Sequence, residues 1–297
     1  MTAAPRRLLR LALISGLLLA AFPRPATPSA RVSWEPAHVR AGDVVLMRVR
    51  EVPARATVEA TLDGHPVWLF PTADGLAGVV GIDMDASAGA RPWRLTLREG
   101  SAVTSLDGDL PIVPRTYTVQ HLTVARAMAE LDPATERRAV EETERLRLTY
   151  RAVSGERLWR GRWVRPVAGE APGTGFGARR VINGQPRSPH SGIDFAAPVG
   201  TPVVAANRGR VALVGEFFFP GRLVILDHGL GLYTLYFHLD TIAVTTGQLV
   251  AAGEVLGTVG MTGRVTGPHL HFGAQVGTAR IDPAVLLDFS PADSLSD

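Results

Sequence analysis

Two long parts of this sequence are cut by glycine, proline and Asp-Gly turns into short alternating stretches, a pattern that sheets can bury and long helices cannot. Within residues 31–114, Val45, Met47 and Val49 share one strand face after Ala41-Gly42-Asp43. Val58, Ala60 and Leu62 share another and run into Asp63-Gly64, a hairpin signal; Trp93, Leu95 and Leu97 repeat the alternation. Short strands at this spacing predict a small immunoglobulin-like β-sandwich over residues 31–115. It clusters no catalytic groups, and His38 and His65, close to Pro or Gly, read as exposed loop histidines. Further on, a Gly/Pro-rich stretch at residues 165–177 opens a second β-rich region. Its apolar runs at 200–206, 209–214, 222–227, 233–237 and 254–259 are separated by glycines. They predict a compact antiparallel sheet in a domain over residues 165–288, with 289–297 as a tail.

The segment between these regions, residues 116–164, has a different period. Asp132 suits an N-cap and Pro133 the first helical position; ATERRAVEETERLRLTYRAV follows, with Ala139, Val140 and Leu146 apolar and Glu141 four residues before Arg145. This predicts a connecting helix with a solvated charged face. His121, just before it, has no obvious companion.

Length and composition narrow the function. At 297 residues two domains are expected. Arg6, Arg7 and Arg10 precede an apolar run over residues 11–22 and a Pro-rich, small-residue stretch ending near Ala30. That is the order of a secretory signal peptide, expected at residues 1–30, and the run is short for a membrane span. Residues 1–30 hold four arginines and no acid, so their removal takes the formal net charge from +3 to −1. The high sequence pI therefore argues for no nucleic-acid or anionic-membrane partner. Export to the periplasm or the extracellular space is expected, with no stable membrane anchor after cleavage. The chain has no cysteine, which excludes disulfides, thiol nucleophiles and Cys-based zinc ribbons. Any metal must be held by His, Asp or Glu.

Of the eight histidines, two stand one residue apart in GPHLHFG, at His269 and His271. On a strand, residues two apart project from the same face. Taken alone, such a pair is most often a solvated face or a buried pair satisfied by carbonyls. SPHSGIDFAAPVG adds His190 and Asp194, an even four residues apart. Neutral imidazoles and a carboxylate are zinc ligands, and three protein ligands plus one open position is the catalytic arrangement. His190, Asp194 and one histidine of the HLH pair complete such a set, which leaves the other histidine to act as a base. There is no HExxH motif. His238, in LYFHLD, is a further candidate for steadying a water or an oxyanion.

The ordered set HxxxD, YFHL and HxH, with FGARRVINGQPRSPHSGIDFAAPVGTPVVAA, LVILDHGLGLYTLYFHLD and GQLVAAGEVLGTVGMTGRVTGPHLHFG around it, resembles the LytM or lysostaphin-type zinc metallopeptidases, the M23 family, over residues 176–283. The resemblance implies a groove-forming antiparallel β fold, Zn2+ as cofactor, and hydrolysis of peptidoglycan peptides. It implies that His190, Asp194 and His271 ligate zinc, that His269 is the general base, and that His238 is its partner in polarising water or stabilising the transition state. Some relatives have lost ligands and activate other wall hydrolases, but this chain departs from the active pattern at none of the five positions. A secreted protease of other peptides is a further alternative. His228, in LDHG, resembles a recurrent structural turn. Phe217, Phe218 and Phe219 either wall the groove or pack; Arg179, Arg180 and Asn183 either bind substrate or brace their loop. The scissile bond and the oligomeric state leave no signal in the sequence.

Overall fold

The alternating runs of the N-terminal region pair as two sheets. One has the strand order Arg31–Glu35, Val44–Arg50, Gly75–Gly81, Leu69–Thr72. The other runs Val39–Arg40, Ala102–Val113, Gly89–Glu99, Thr57–Leu62, His65–Val67. The computed structural model describes residues 30–123, 131–168 and 175–289, and the fold is mainly β. The export segment expected at residues 1–30 lies outside the described residues except for Ala30, as do residues 290–297 of the expected tail. His65 opens a short strand rather than lying in a loop; it and His38 are both exposed.

Val44–Arg50 is buried on both faces, and its alternation feeds two different cores. Val45, Met47 and Val49 point between the two N-terminal sheets, against Leu95, Leu97 and Leu110. Val44 and Leu46 point the other way. With Phe70, Ala77, Val79 and Met84 they join a core that continues through Trp159 and Trp163 to Phe195, Tyr236 and Phe272 of the C-terminal region. Each large apolar side chain on that shared face contributes about 1.5–3 kcal/mol by leaving water. Polar contacts line the same seam. Arg280 grips Asp83 (2.8 Å) and Asp85 (2.8 Å), Arg115 reaches Asp282 (2.7 Å), and the Asp282 amide donates to Gly42 O (2.7 Å).

The connecting helix runs over Pro133–Arg151 with the expected cap, Asp132 Oδ1 accepting from the amides of Ala134 (2.9 Å) and Thr135 (3.1 Å). Its charged face is not simply solvated. Glu142 pairs with Arg138 (2.7 Å) and accepts from the Phe218 amide (2.6 Å), while Arg145, expected to pair with Glu141, lies over the Phe217 ring at 4.9 Å. Val140, expected on the apolar face, is 63% exposed; Ala139 and Tyr150 are the buried residues. The helix therefore leans on the C-terminal sheet. Among the described residues no helix is long and apolar enough to cross a membrane.

The C-terminal sheet is antiparallel. Its main path is Gly192–Ala196, His269–Val276, Leu232–Ile242, Gly221–Gly229, Gly209–Phe217, Leu249–Val250, with Val255–Val259 pairing the far half of Leu232–Ile242. Register shifts interrupt the ladder between Arg222 and Val224, and between Leu239 and Thr241. Such bulges bend a strand and re-aim its side chains. His238 lies within the first of these irregularities with a φ of +65°, an uncommon backbone for a residue with a side chain.

Candidate metal centre and groove

Strand pairing builds the centre. His269–Val276 runs antiparallel to Gly192–Ala196, so that His271 stands opposite Asp194 and His269 opposite Ala196. Directly opposed residues share a face, which puts both imidazoles and the carboxylate on one side of the sheet. His190 lies just before the strand. Two backbone bonds draw it in, Gly177 N–H to His190 O (2.7 Å) and His190 N–H to Ala178 O (3.0 Å).

Three atoms then meet in a triangle. His190 Nε2 is 3.0 Å from Asp194 Oδ1 and 2.9 Å from His271 Nδ1, and His271 Nδ1 is 2.9 Å from Asp194 Oδ1. His190 and His271 are buried and Asp194 is about one-third exposed. His190 Nδ1–H donates to Gly175 O (3.0 Å), and a carbonyl can only accept, so the neutral ring directs the Nε2 lone pair into the triangle. A proton on one corner serves two edges at most; a cation serves all three. Atoms each about 2.0–2.1 Å from a tetrahedral zinc stand roughly 3.3 Å apart, and the observed edges are a few tenths of an ångström tighter. The donor set fits a zinc ion. Electrostatics agree. Burial alone would raise the Asp194 carboxyl, but its contacts with His190 and His271 hold it well below the usual carboxylate range. Burial pushes His271 below the ordinary imidazole range.

Two more rings flank the triangle. His269 Nε2 is 3.8 Å from Asp194 Oδ1, and the His238 ring lies 4.8 Å from that of His269 and 6.1 Å from that of His271. Each commits Nδ1–H to a carbonyl, His269 to Gly267 O and His238 to Thr262 O, both at 2.9 Å. Each neutral ring thus keeps its lone pair on Nε2. Burial, and then the neighbouring His271, pushes His238 down to about 3.

Several positioning residues carried no signal a single sequence could reveal. Phe237 stacks on His271 with centroids 5.4 Å apart and planes at 16°. Gly192 leaves room for that ring, since a Cβ there would stand 2.7 Å from His271 Nε2. Thr262 Oγ1 donates to Leu239 O (2.8 Å), and accepts from the Arg222 amide (2.9 Å), which steadies the carbonyl that holds His238.

The remaining sequence candidates separate. His228 is fully buried, with Nδ1–H donating to Arg208 O (2.8 Å) and Nε2 bonded to Thr234 Oγ1 (2.7 Å). Phe217 packs in the core, and Phe218 and Phe219 are half-buried. Arg179 braces, paired to Asp85 at 2.5 Å and lying over Tyr117; Asn183 sits at an exposed turn with φ of +50°. Arg180 is half-buried with its Nε left without a hydrogen-bond partner among the described residues, and His121 is exposed on a strand that runs parallel to Arg179–Ile182.

Comparison with known proteins converges on this region. The sequence profile described as Peptidase family M23 matches residues 188–283. The chain is 43% identical over 108 residues to the peptidoglycan DD-endopeptidase ShyB of Vibrio cholerae, covering 36% of this chain and 25% of that one. It is 45% identical over 94 residues to the DD-carboxypeptidase/endopeptidase Mpg of Neisseria meningitidis, covering 32% and 22%. It thus spans about a quarter of the length of these curated relatives. A crystal structure of a peptidase M23 candidate from Pseudomonas aeruginosa matches far more widely, at 30% identity and a TM-score of 0.64 over 83% of this chain and 94% of that one. Because that likeness takes in the N-terminal sheets as well as the paired strands that carry His190, Asp194 and His271, the chain belongs to peptidase family M23.

Proposed function

We propose that this protein is an exported zinc endopeptidase that hydrolyses peptide stems or cross-bridges of bacterial peptidoglycan in the periplasm or outside the cell. The observation that carries the reading is the triangle of three ligand atoms with two Nε2 lone pairs beside it. The names of the Vibrio and Neisseria relatives supply the substrate class.

In this reading His190 Nε2, Asp194 Oδ1 and His271 Nδ1 hold Zn2+. Bound there, the ion supplies Lewis acidity, which makes water a nucleophile near neutral pH and stabilises charge on the attacked carbonyl oxygen. His269 is the general base. Its Nε2 takes a proton from the attacking water and returns it to the leaving amine, a role worth about 10²–10⁴-fold in rate. The tautomer of His238 supports the first of its two expected roles. With Nδ1–H committed to Thr262 O, neutral His238 has only an acceptor to offer, so it orients the water rather than donating to an oxyanion. The N-terminal sheets are read as an immunoglobulin-like module over residues 31–115. Residues 116–164 form the connector and 165–288 the catalytic domain.

The test is mass spectrometry of fragments released from purified peptidoglycan, with and without a zinc chelator, beside the His269→Ala protein. New amino termini that vanish with chelator and with the variant support the reading. Intact wall material from folded, zinc-loaded protein overturns it.

A further inference from the structure

Two loops flank the centre, and both carry arginine. The hairpin formed by Arg179–Ile182 and Gln185–Pro186 brings Arg180 and Arg187 together, the Arg187 amide donating to Arg180 O (2.9 Å). The hairpin is anchored to the centre through Ala178 O, which accepts from the His190 amide. The second loop, residues 260–268, contains Thr262 and Gly267, whose carbonyls hold His238 and His269; Arg264 lies between them in sequence. The Arg264 amide donates to Phe219 O (3.0 Å), and its guanidinium lies 4.2 Å from the centroid of the Phe219 ring.

Three observations make this group unlike an ordinary solvated arginine face. Among the described residues Arg264 has no carboxylate partner; it is held by stacking and half-buried. A stacked guanidinium keeps its in-plane N–H fork free for a planar anion. Arg180 Nε is buried with no hydrogen-bond partner, which costs about 1–3 kcal/mol unless something accepts from it. The neighbouring charges acting on Arg264 are those of Arg187 and Arg180; after burial itself, they hold its guanidinium below the ordinary arginine range. Arg180 and Arg264 are two like charges with no carboxylate partner among the described residues, and they repel one another until an anion joins them. Arg179, one residue away, shows the contrast, since its charge is already spent on Asp85.

We propose that Arg180 and Arg264 form a carboxylate subsite beside the metal centre, so that the enzyme selects acidic peptides with a free carboxylate close to the scissile amide. The inference rests on the peptidase reading and deepens it. Arg264 is the central residue, because Phe219 orients it and because its own loop holds both His238 and His269.

The test uses matched peptide pairs that differ only in a carboxylate or carboxamide on the residue flanking the scissile bond. Zinc-loaded protein is compared with Arg264→Gln, Arg264→Lys and Arg180→Gln. The carboxylate peptide is expected to have at least a ten-fold higher kcat/KM, mostly through KM, and the advantage should shrink as salt rises. Arg264→Gln should bring the ratio between the two peptides close to one, with Arg264→Lys keeping some of it and Arg180→Gln lowering it. Fluorescence anisotropy with His269→Ala protein reads binding of the same pair without turnover. Equal kcat/KM and equal affinity for the two peptides would overturn the subsite, as would an undiminished ratio in Arg264→Gln. If neither peptide is cut but the carboxylate form binds more tightly and loses that advantage in Arg264→Gln, the subsite stands and the peptidase reading falls.

Discussion

A methyl group at Gly192 has nowhere to go. The Cβ of an alanine would press on the Phe272 carbonyl of the paired strand and come within 2.7 Å of His271 Nε2 and 2.8 Å of His271 Cε1. Neither neighbour is a flexible chain end. Phe272 O belongs to the ladder that sets Asp194 against His271, and the His271 ring is pinned from its other side by Phe237. Gly192→Ala must therefore push the paired strands apart or rotate His271 out of the triangle. Overpacking of this kind costs about 1–3 kcal/mol. Displacing a group that orients a metal ligand costs about 10–100-fold in metal affinity. Urea unfolding of chelator-treated protein isolates the packing cost, and competition against a chromophoric chelator reads the affinity. An unchanged unfolding midpoint together with unchanged zinc affinity would refute the claim that strand spacing at Gly192 builds the centre.

Other perturbations follow from the same structure. Leu46→Ala should destabilise by about 2–5 kcal/mol by opening a cavity in the shared core, measured by denaturant unfolding; a loss under about 1 kcal/mol would mean that the N-terminal sheet only touches its neighbour. His228 is pushed down to about 4 by burial, so the unfolded chain takes up its proton first as pH falls from about 6.5. The stability this group contributes is whole above pH 6.5 and is lost towards pH 4, about 3 kcal/mol in all. His228→Gln should flatten that stretch of the stability-versus-pH curve, and an unaltered slope would count against the assignment. His269→Ala should lower kcat by about 10²–10⁴-fold with zinc content intact, the two read by peptide turnover and by metal analysis.

The contrast between adjacent residues shows where local pattern stops being informative. Val45 and Met47 were legible as a strand face, yet the intervening Val44 and Leu46 carry as much of the fold, because they face a second core. A run of four apolar residues is compatible with burial on both faces, but it does not say against what. Arg179 and Arg180 are chemically identical and adjacent. Only Asp85, nearly a hundred positions earlier, makes one a brace, while the other keeps a buried Nε without a hydrogen-bond partner among the described residues. On the helix, Arg145 was expected to pair with Glu141, but tertiary contact with Phe217 decides its position.

By itself the sequence determined what depends on neighbours along the chain. Even spacing puts Asp194, His269 and His271 on usable strand faces, Asp132-Pro133 starts the helix, and alternation between glycines makes the protein mainly β. Tertiary structure decided what depends on distant partners. The carbonyls of Gly175, Thr262 and Gly267 choose which nitrogen of His190, His238 and His269 carries the proton, and the strand register brings His271 within 2.9 Å of Asp194. Backbone period is a local property, whereas a lone pair's direction is set by whichever donor or acceptor the completed fold places beside it.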